Sequence, residues 1–282
     1  VVIAFGHRCG ECFYCLRGEP YLCTPLADAP LLKRFPRIWK GHQGINSFAA
    51  TGAFAEYTVF PASNIIPLPD DVPFEVGALV GCAVATGFGS VVNTAKVQPG
   101  STVLVIGCGG VGLNVVQAAA LVGAARIIAV DIRDSKLNYA QQFGATHVIN
   151  ASREDTVQRV RDLTGGFGAD YAFEVVSDPK TIEQAYESLR KGGVAVVVGI
   201  SPVGAQVTID PLAMMRTGRT LIGSAIGSIR PSIDFPRILD LYLAGKLHLR
   251  EMVSRTFTLP EINEAFQALA AGELIRGVVA FD

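Results

Sequence analysis

The sequence predicts an α/β protein built on a doubly wound parallel sheet, with a β-rich region ahead of it. Three observations carry that reading. From Ser101 onward, short β-branched runs alternate with helical stretches, the pattern of parallel strands covered on both faces. Before that, the chain is rich in Gly, Pro, Cys and aromatic residues, with short extended runs and no long helical pattern. Half of the 282 residues are hydrophobic and 17% are charged, enough apolar material for a large core and for more than one domain.

Element by element, extended runs are expected at Phe54–Phe60 and Asn64–Leu68. Sheet strands are expected at Thr102–Ile106, Arg126–Asp131, Thr146–Ile149, Tyr171–Val175 and Val194–Val198. The intervening helices are placed at Val111–Val122, Asp134–Phe143, Arg153–Leu163 and Pro179–Arg190. Beyond Gly223 the alternation ends, leaving helices near Phe235–Ala244 and Pro260–Ala271 and a last strand at Val278–Phe281. That tail is too short for a domain and is expected to pack back on the first region. The expected divisions are residues 1–82, 83–225 and 226–282.

A formal charge of −1 with no basic cluster gives no support to nucleic-acid binding. Apolar runs such as Val194–Ile200 are too short to cross a bilayer, and no signal peptide is evident. Six cysteines are too few for a disulfide scaffold, and four of them lie within fifteen residues. Such crowding points to a metal and to a reducing, cytoplasmic compartment.

The run Val103-Leu104-Val105-Ile106-Gly107-Cys108-Gly109-Gly110-Val111-Gly112 is a strand entering G-x-G-x-x-G and then a helix. A second strand ends in Asp131, nineteen residues after Gly112. Gly107 permits a tight turn, Gly109 lets the backbone approach a pyrophosphate, and Gly112 allows close helix–strand packing. The helix N-terminus beginning at Gly110 and Val111 supplies N–H groups and a positive dipole end. Asp131 would accept from the adenosine ribose hydroxyls and repel a 2′-phosphate, favouring NAD over NADP. Arg133 is the countervailing cation, and a FAD or S-adenosylmethionine site is the competing use of this fold.

Cys9, Cys12, Cys15 and Cys23 offer four thiolates from one loop, the donor set of a closed structural zinc. An iron–sulfur cluster is the runner-up, but its fourth cysteine normally follows three residues on and precedes Pro, unlike Cys23-Thr24. Cys108, at a variable position of the glycine loop, reads as a packing residue.

These features resemble the zinc-containing medium-chain alcohol dehydrogenases, class III-like members included, over essentially the whole chain. Cys9–Cys23 is similar to that family's structural zinc loop, and Gly52-Ala53-Phe54-Ala55-Glu56-Tyr57 to the segment leaving its GroES-like catalytic barrel. Gly81-Cys82-Ala83-Val84-Ala85-Thr86-Gly87 resembles the motif in which the cysteine binds the catalytic zinc and the threonine packs behind the nicotinamide. The Gly107–Gly112 loop, Asp131 and Lys136 match the NAD-binding pattern. Gly168–Glu174 and Val198-Gly199-Ile200 match later strands of a Rossmann fold, with Ile200 over the nicotinamide. Gly272-Glu273-Leu274-Ile275-Arg276 resembles the segment whose arginine reaches the pyrophosphate.

The resemblance implies an NAD-linked oxidoreductase acting on a primary alcohol or aldehyde, or on an S-(hydroxymethyl)thiol. It also implies assembly as a homodimer or homotetramer; the apolar run Thr220–Ala225 and the following Ile226–Ile229 are candidates for the joining edge or, equally, for burial in the core. Phe48 and Ala49 are placed near the pocket. A non-catalytic NAD-binding module and a zinc-free reductase are the competing readings. One departure stands out. The family's second catalytic cysteine, its histidine ligand and its proton relay precede the zinc loop. None of His7, His42, His147 and His248 lies in a Gly-His-Glu context. With Val1 in place of Met, the expectation is a piece of a longer enzyme, inactive alone.

Overall fold

A computed structural model describes residues 1–5, 8–23, 38–45 and 51–281. In chain order the first elements are β1 (Val2–Ile3), α1 (Phe13–Leu16), β2 (Ile38–Lys40), β3 (Gln43–Ile45) and β4 (Ile65–Ile66). A helical stretch α2 (Phe74–Ala95) follows. Then come β5 (Thr102–Ile106), α3 (Gly110–Leu121), β6 (Arg126–Asp131), α4 (Asp134–Gln142), β7 (His147–Asn150), α5 (Thr156–Leu163), β8 (Ala169–Glu174), α6 (Pro179–Glu187) and β9 (Leu189–Val197). The chain ends with α7 (Pro211–Thr217), β10 (Thr220–Gly223), α8 (Pro231–Leu243), β11 (Val253–Phe257), α9 (Ile262–Ala271) and β12 (Arg276–Val279).

Two compact units result. One joins Val1–Ala85 to Ile229–Asp282, and the other is Thr86–Ser228. The second unit holds a parallel six-stranded sheet of order β10-β9-β8-β5-β6-β7. Chain order reverses between β5 and β8, so the crevice beyond their carboxyl ends is a topological switch point where Rossmann folds bind ligands. Leu104, Ile106, Ile128, Val130, Ile149 and Ala172 are fully or almost fully buried in its core, which is why these strands read as unbroken apolar runs. In the first unit, β1 pairs antiparallel with β4, and β11 pairs parallel with β12.

Several boundaries have a local cause. Asp155, Asp178 and Asp210 accept backbone N–H groups at the starts of α5, α6 and α7, satisfying orphan donors there. The Asp155 cap starts α5 at Thr156, three residues after the sequence expectation. Leu189 pairs with Ala169 in the sheet, so α6 ends at Glu187 and β9 begins earlier than its sequence pattern suggests.

Two expectations are corrected. Phe54–Phe60 forms no strand; Phe54, Tyr57 and Val59 are exposed, and a β-prone run needs a partner strand to form a ladder. Conversely, α2 was not anticipated, because its apolar and glycine-rich sequence has no polar face to give a helical period. Its 22 residues, with a most apolar window of mean hydropathy 1.6, are long and apolar enough to cross a membrane, contrary to the reading that every apolar run is too short. Two thirds of its most apolar window is buried inside the protein. Glycine contacts within each unit mark it as a core helix. A Cβ on Gly77 would lie 2.9 Å from a Leu68 methyl, one on Gly81 2.5 Å from the Ile3 carbonyl oxygen, and one on Gly87 2.5 Å from Asn114 Cβ.

Candidate coenzyme site and metal centre

A glycine-rich cradle forms where β5 ends. Gly107 adopts φ +98, a left-handed conformation open to glycine. A Cβ on Gly112 would lie 1.8 Å from the Gly107 carbonyl oxygen, so the turn closes only without a side chain there. Gly109 is the N-cap of α3, with no side-chain cap, and a Cβ on it meets nothing within 4 Å. The first turn of α3 therefore lacks a side-chain cap and has open space beside Gly109, an arrangement that can receive an anion. Gly110 and Val111 form the first turn of that helix.

Asp131 closes β6 and is anchored rather than free. Its Oδ2 accepts the Cys108 N–H at 2.9 Å, and its Oδ1 accepts the Arg133 N–H at 3.1 Å. Each carboxylate oxygen retains acceptor capacity for a ribose hydroxyl. These contacts fit a dinucleotide with a free adenosine ribose. Burial, with the Asp131 charge adding to it, pushes the Cys108 thiol far above the ordinary thiol range; a protonated, enclosed sulfur is a packing group. Lys136 is buried on α4. Ile200 lies beyond the end of β9, highly exposed.

Four sulfurs converge near α1. Cys12 Sγ lies 3.9 Å and Cys9 Sγ 3.7 Å from Cys23 Sγ, and all four, Cys15 included, lie within 4.8 Å of one another. Zinc–sulfur bonds of about 2.3 Å in a tetrahedron require S···S edges of about 3.8 Å, so the set fits zinc. Backbone N–H groups of Cys9 and Cys12 donate to Cys23 and Cys9 sulfur at 3.4 and 3.3 Å. Burial pushes the Cys23 thiol up to about 12 and raises Cys15; a bound dication reverses that preference by stabilising thiolates.

The Gly81–Gly87 motif divides between the two units. Cys82 is exposed in a π-helical segment, Val80–Val84, a local widening frequent at functional sites. Arg276 opens β12 in the same unit; burial lowers its guanidinium from the ordinary value, with Cys82 acting in the opposite sense. Its Nε is buried without a hydrogen-bond partner among the described residues. Thr86, in the other unit, is half-buried, and its carbonyl accepts Ser90 Oγ–H at 2.7 Å. That bond starts a hydroxyl chain not foreseen from sequence: Ser90–Ser224, Ser224–Thr94 and Thr94–Ser228, at 2.9, 2.9 and 2.8 Å. A second feature missed was Glu174; its only sequence signal is a carboxylate closing an apolar strand. His42 is exposed between β2 and β3, His147 contacts Thr146, and His248 pairs with Glu251. His7, Phe48 and Ala49 lie outside the described residues.

Comparison with known proteins agrees with this chemistry. Residues 1–70 match the model of the alcohol dehydrogenase GroES-like domain, and residues 110–244 that of the zinc-binding dehydrogenases. The chain is 36% identical to an S-(hydroxymethyl)glutathione dehydrogenase of Paracoccus denitrificans, over 100% of its own length and 78% of the relative's. It is 36% identical to an alcohol dehydrogenase class-3 of Dictyostelium discoideum, over 96% of its length and 74% of the relative's. Among solved structures, benzyl alcohol dehydrogenase from Acinetobacter calcoaceticus superposes with a TM-score of 0.90 at 31% identity, covering 100% of this chain and 77% of that one. The GroES-like match, the parallel nucleotide-binding sheet and the four-cysteine lobe thus converge: the chain belongs to the zinc-containing medium-chain alcohol dehydrogenases, a family of NAD-linked oxidoreductases.

Proposed function

We propose that the chain serves NAD-linked interconversion of a primary alcohol and its aldehyde, with an S-(hydroxymethyl)thiol as the alternative substrate. The observation that carries this is Asp131, fixed by two backbone N–H groups beside the glycine loop. In this reading its carboxylate accepts from the adenosine ribose and the N-terminus of α3 faces the pyrophosphate; Arg276, as the motif around it implies, is a coenzyme-binding cation contributed by the first unit. Thr86 and Ile200 hold the nicotinamide ring at a fixed distance and face. Cys82 contributes one thiolate to the catalytic zinc, and Cys9, Cys12, Cys15 and Cys23 hold the structural ion. When bound, zinc supplies a Lewis acid and NAD a hydride acceptor.

No Gly-His-Glu context occurs in the 282 residues. The purified chain is therefore expected to bind NAD in preference to NADP and to hold one zinc, without oxidising alcohols unaided. Calorimetry, metal analysis and an ethanol assay check these points. A preference for NADP would overturn the Asp131 assignment, and ethanol turnover would overturn the reading of Cys82 as the lone catalytic ligand.

The edge position of β10 supports assembly as a homodimer or homotetramer by sheet extension. A proline at Leu221 is expected to yield a smaller species in light scattering. The convergence of four cysteines as a metal donor set supports a reducing, cytoplasmic setting.

A further inference from the structure

One carboxylate organises a lip of the coenzyme crevice. Glu174, the last residue of β8, is fully buried. Its backbone carbonyl accepts the N–H groups of Val198 and Gly199 at 2.9 and 3.2 Å. Its side-chain Oε1 accepts three more donors: Val176 N–H at 2.8 Å, Ser177 N–H at 2.7 Å and Thr181 Oγ–H at 2.8 Å. Oε2 is buried without a partner among the described residues. Burying a carboxylate is costly unless hydrogen bonds compensate, and here all the compensation falls on one oxygen.

Those bonds hold the turn after β8 in a demanding shape. Ser177 sits at φ +81, a conformation uncommon for a residue with a side chain. The turn is wedged between two glycines. A Cβ on Gly107 would come within 2.8 Å of Val176 Cγ2, and one on Gly199 within 2.2 Å of Ser177 Oγ. Glu174 therefore fixes the spacing between the glycine loop after β5 and the end of β9, across the switch point. Sheet pairing alone does not require this, since β8 and β9 already pair through their backbones.

In a doubly wound sheet, each half accommodates one mononucleotide of a dinucleotide. With Asp131 on the β6 side taking the adenosine half, the wall made by Val176, Ser177, Gly199 and Ile200 faces the other. We infer that Glu174 is a positioning residue for the nicotinamide half of the coenzyme, acting through the turn it holds. This rests on the NAD-binding reading above.

The test is calorimetric titration of the 282-residue chain with NAD and, separately, with AMP, which occupies the adenosine half alone. Glu174→Ala is expected to weaken NAD about tenfold while AMP affinity stays within about twofold. Glu174→Gln keeps an oxygen acceptor and is expected to recover most of the NAD affinity. Should Glu174→Ala fail to fold, Thr181→Val removes one of the three donors and is expected to weaken NAD about threefold, again sparing AMP. Unchanged NAD affinity, a parallel loss of AMP, or no recovery in Glu174→Gln would overturn the role. A wild-type chain that binds neither ligand would instead refute the coenzyme reading, and this inference with it.

Discussion

Replacing Gly112 by Ala tests the cradle most directly. The added Cβ would sit 1.8 Å from the Gly107 carbonyl oxygen and 2.9 Å from its carbon. Both neighbours are backbone, so relief requires separating β5 from the first turn of α3. Overpacking of this kind costs about 3 kcal/mol, the upper end for an inserted methyl group, or a drop in melting temperature on the order of 5–10 °C. Gly109→Ala is the matched control. Gly109 has φ −77 and its Cβ would meet nothing within 4 Å, so melting should move by a degree or two at most. That methyl group projects where the pyrophosphate is expected, so NAD affinity should still fall about tenfold. Differential scanning calorimetry and NAD titration of the two variants separate fold from site. If Gly112→Ala melts like the wild type, the tight turn is not a constraint. If Gly109→Ala binds NAD normally, the pyrophosphate does not lie against the N-terminus of α3.

Further outcomes can be checked independently. Cys12→Ser removes one of the four converging sulfurs, and a colorimetric chelator should find about one zinc fewer per chain than in the wild type. Ser224→Ala interrupts the hydroxyl chain. Ser90 gives its single proton to the Thr86 carbonyl, so Ser224 must donate to Ser90 and Thr94 to Ser224. Losing that link should cost about 1–2 kcal/mol in denaturant unfolding. Hydrogen bonds from the Thr258 backbone and hydroxyl hold the Glu261 carboxyl below its usual value. A lowered folded-state value gives stability that is present above the ordinary carboxylate range and lost as pH falls through the lowered one. Glu261→Gln should therefore show a smaller acid-induced loss than the wild type in a pH series of melting curves.

Much of the architecture was legible because it is local. The parallel strands announced themselves as β-branched runs, Gly107–Gly112 and Asp131 as a spaced pattern, and the converging sulfurs as four cysteines on one loop. Asp178-Pro179 and Asp210-Pro211 carry the Asp caps and N1 prolines of α6 and α7 on their face. Helix α2 was not legible, since a mostly buried, apolar helix has no polar stripe, and its glycines are explained only by side chains and backbones that approach from outside the helix.

By itself, then, the sequence determined the alternating sheet, the glycine-rich strand–turn–helix and the cluster of four cysteines, because each depends on residues close along the chain. Tertiary structure decided what depends on residues far apart. It tied Asp131 to the loop 23 positions away and joined Ser90 to Ser224 across 134 positions. It also placed the Glu174 turn between Gly107 and Gly199. Hydrogen bonds and close contacts follow distance in space, and no periodicity along a chain encodes which buried carboxylate will find three donors when the sheet closes around it.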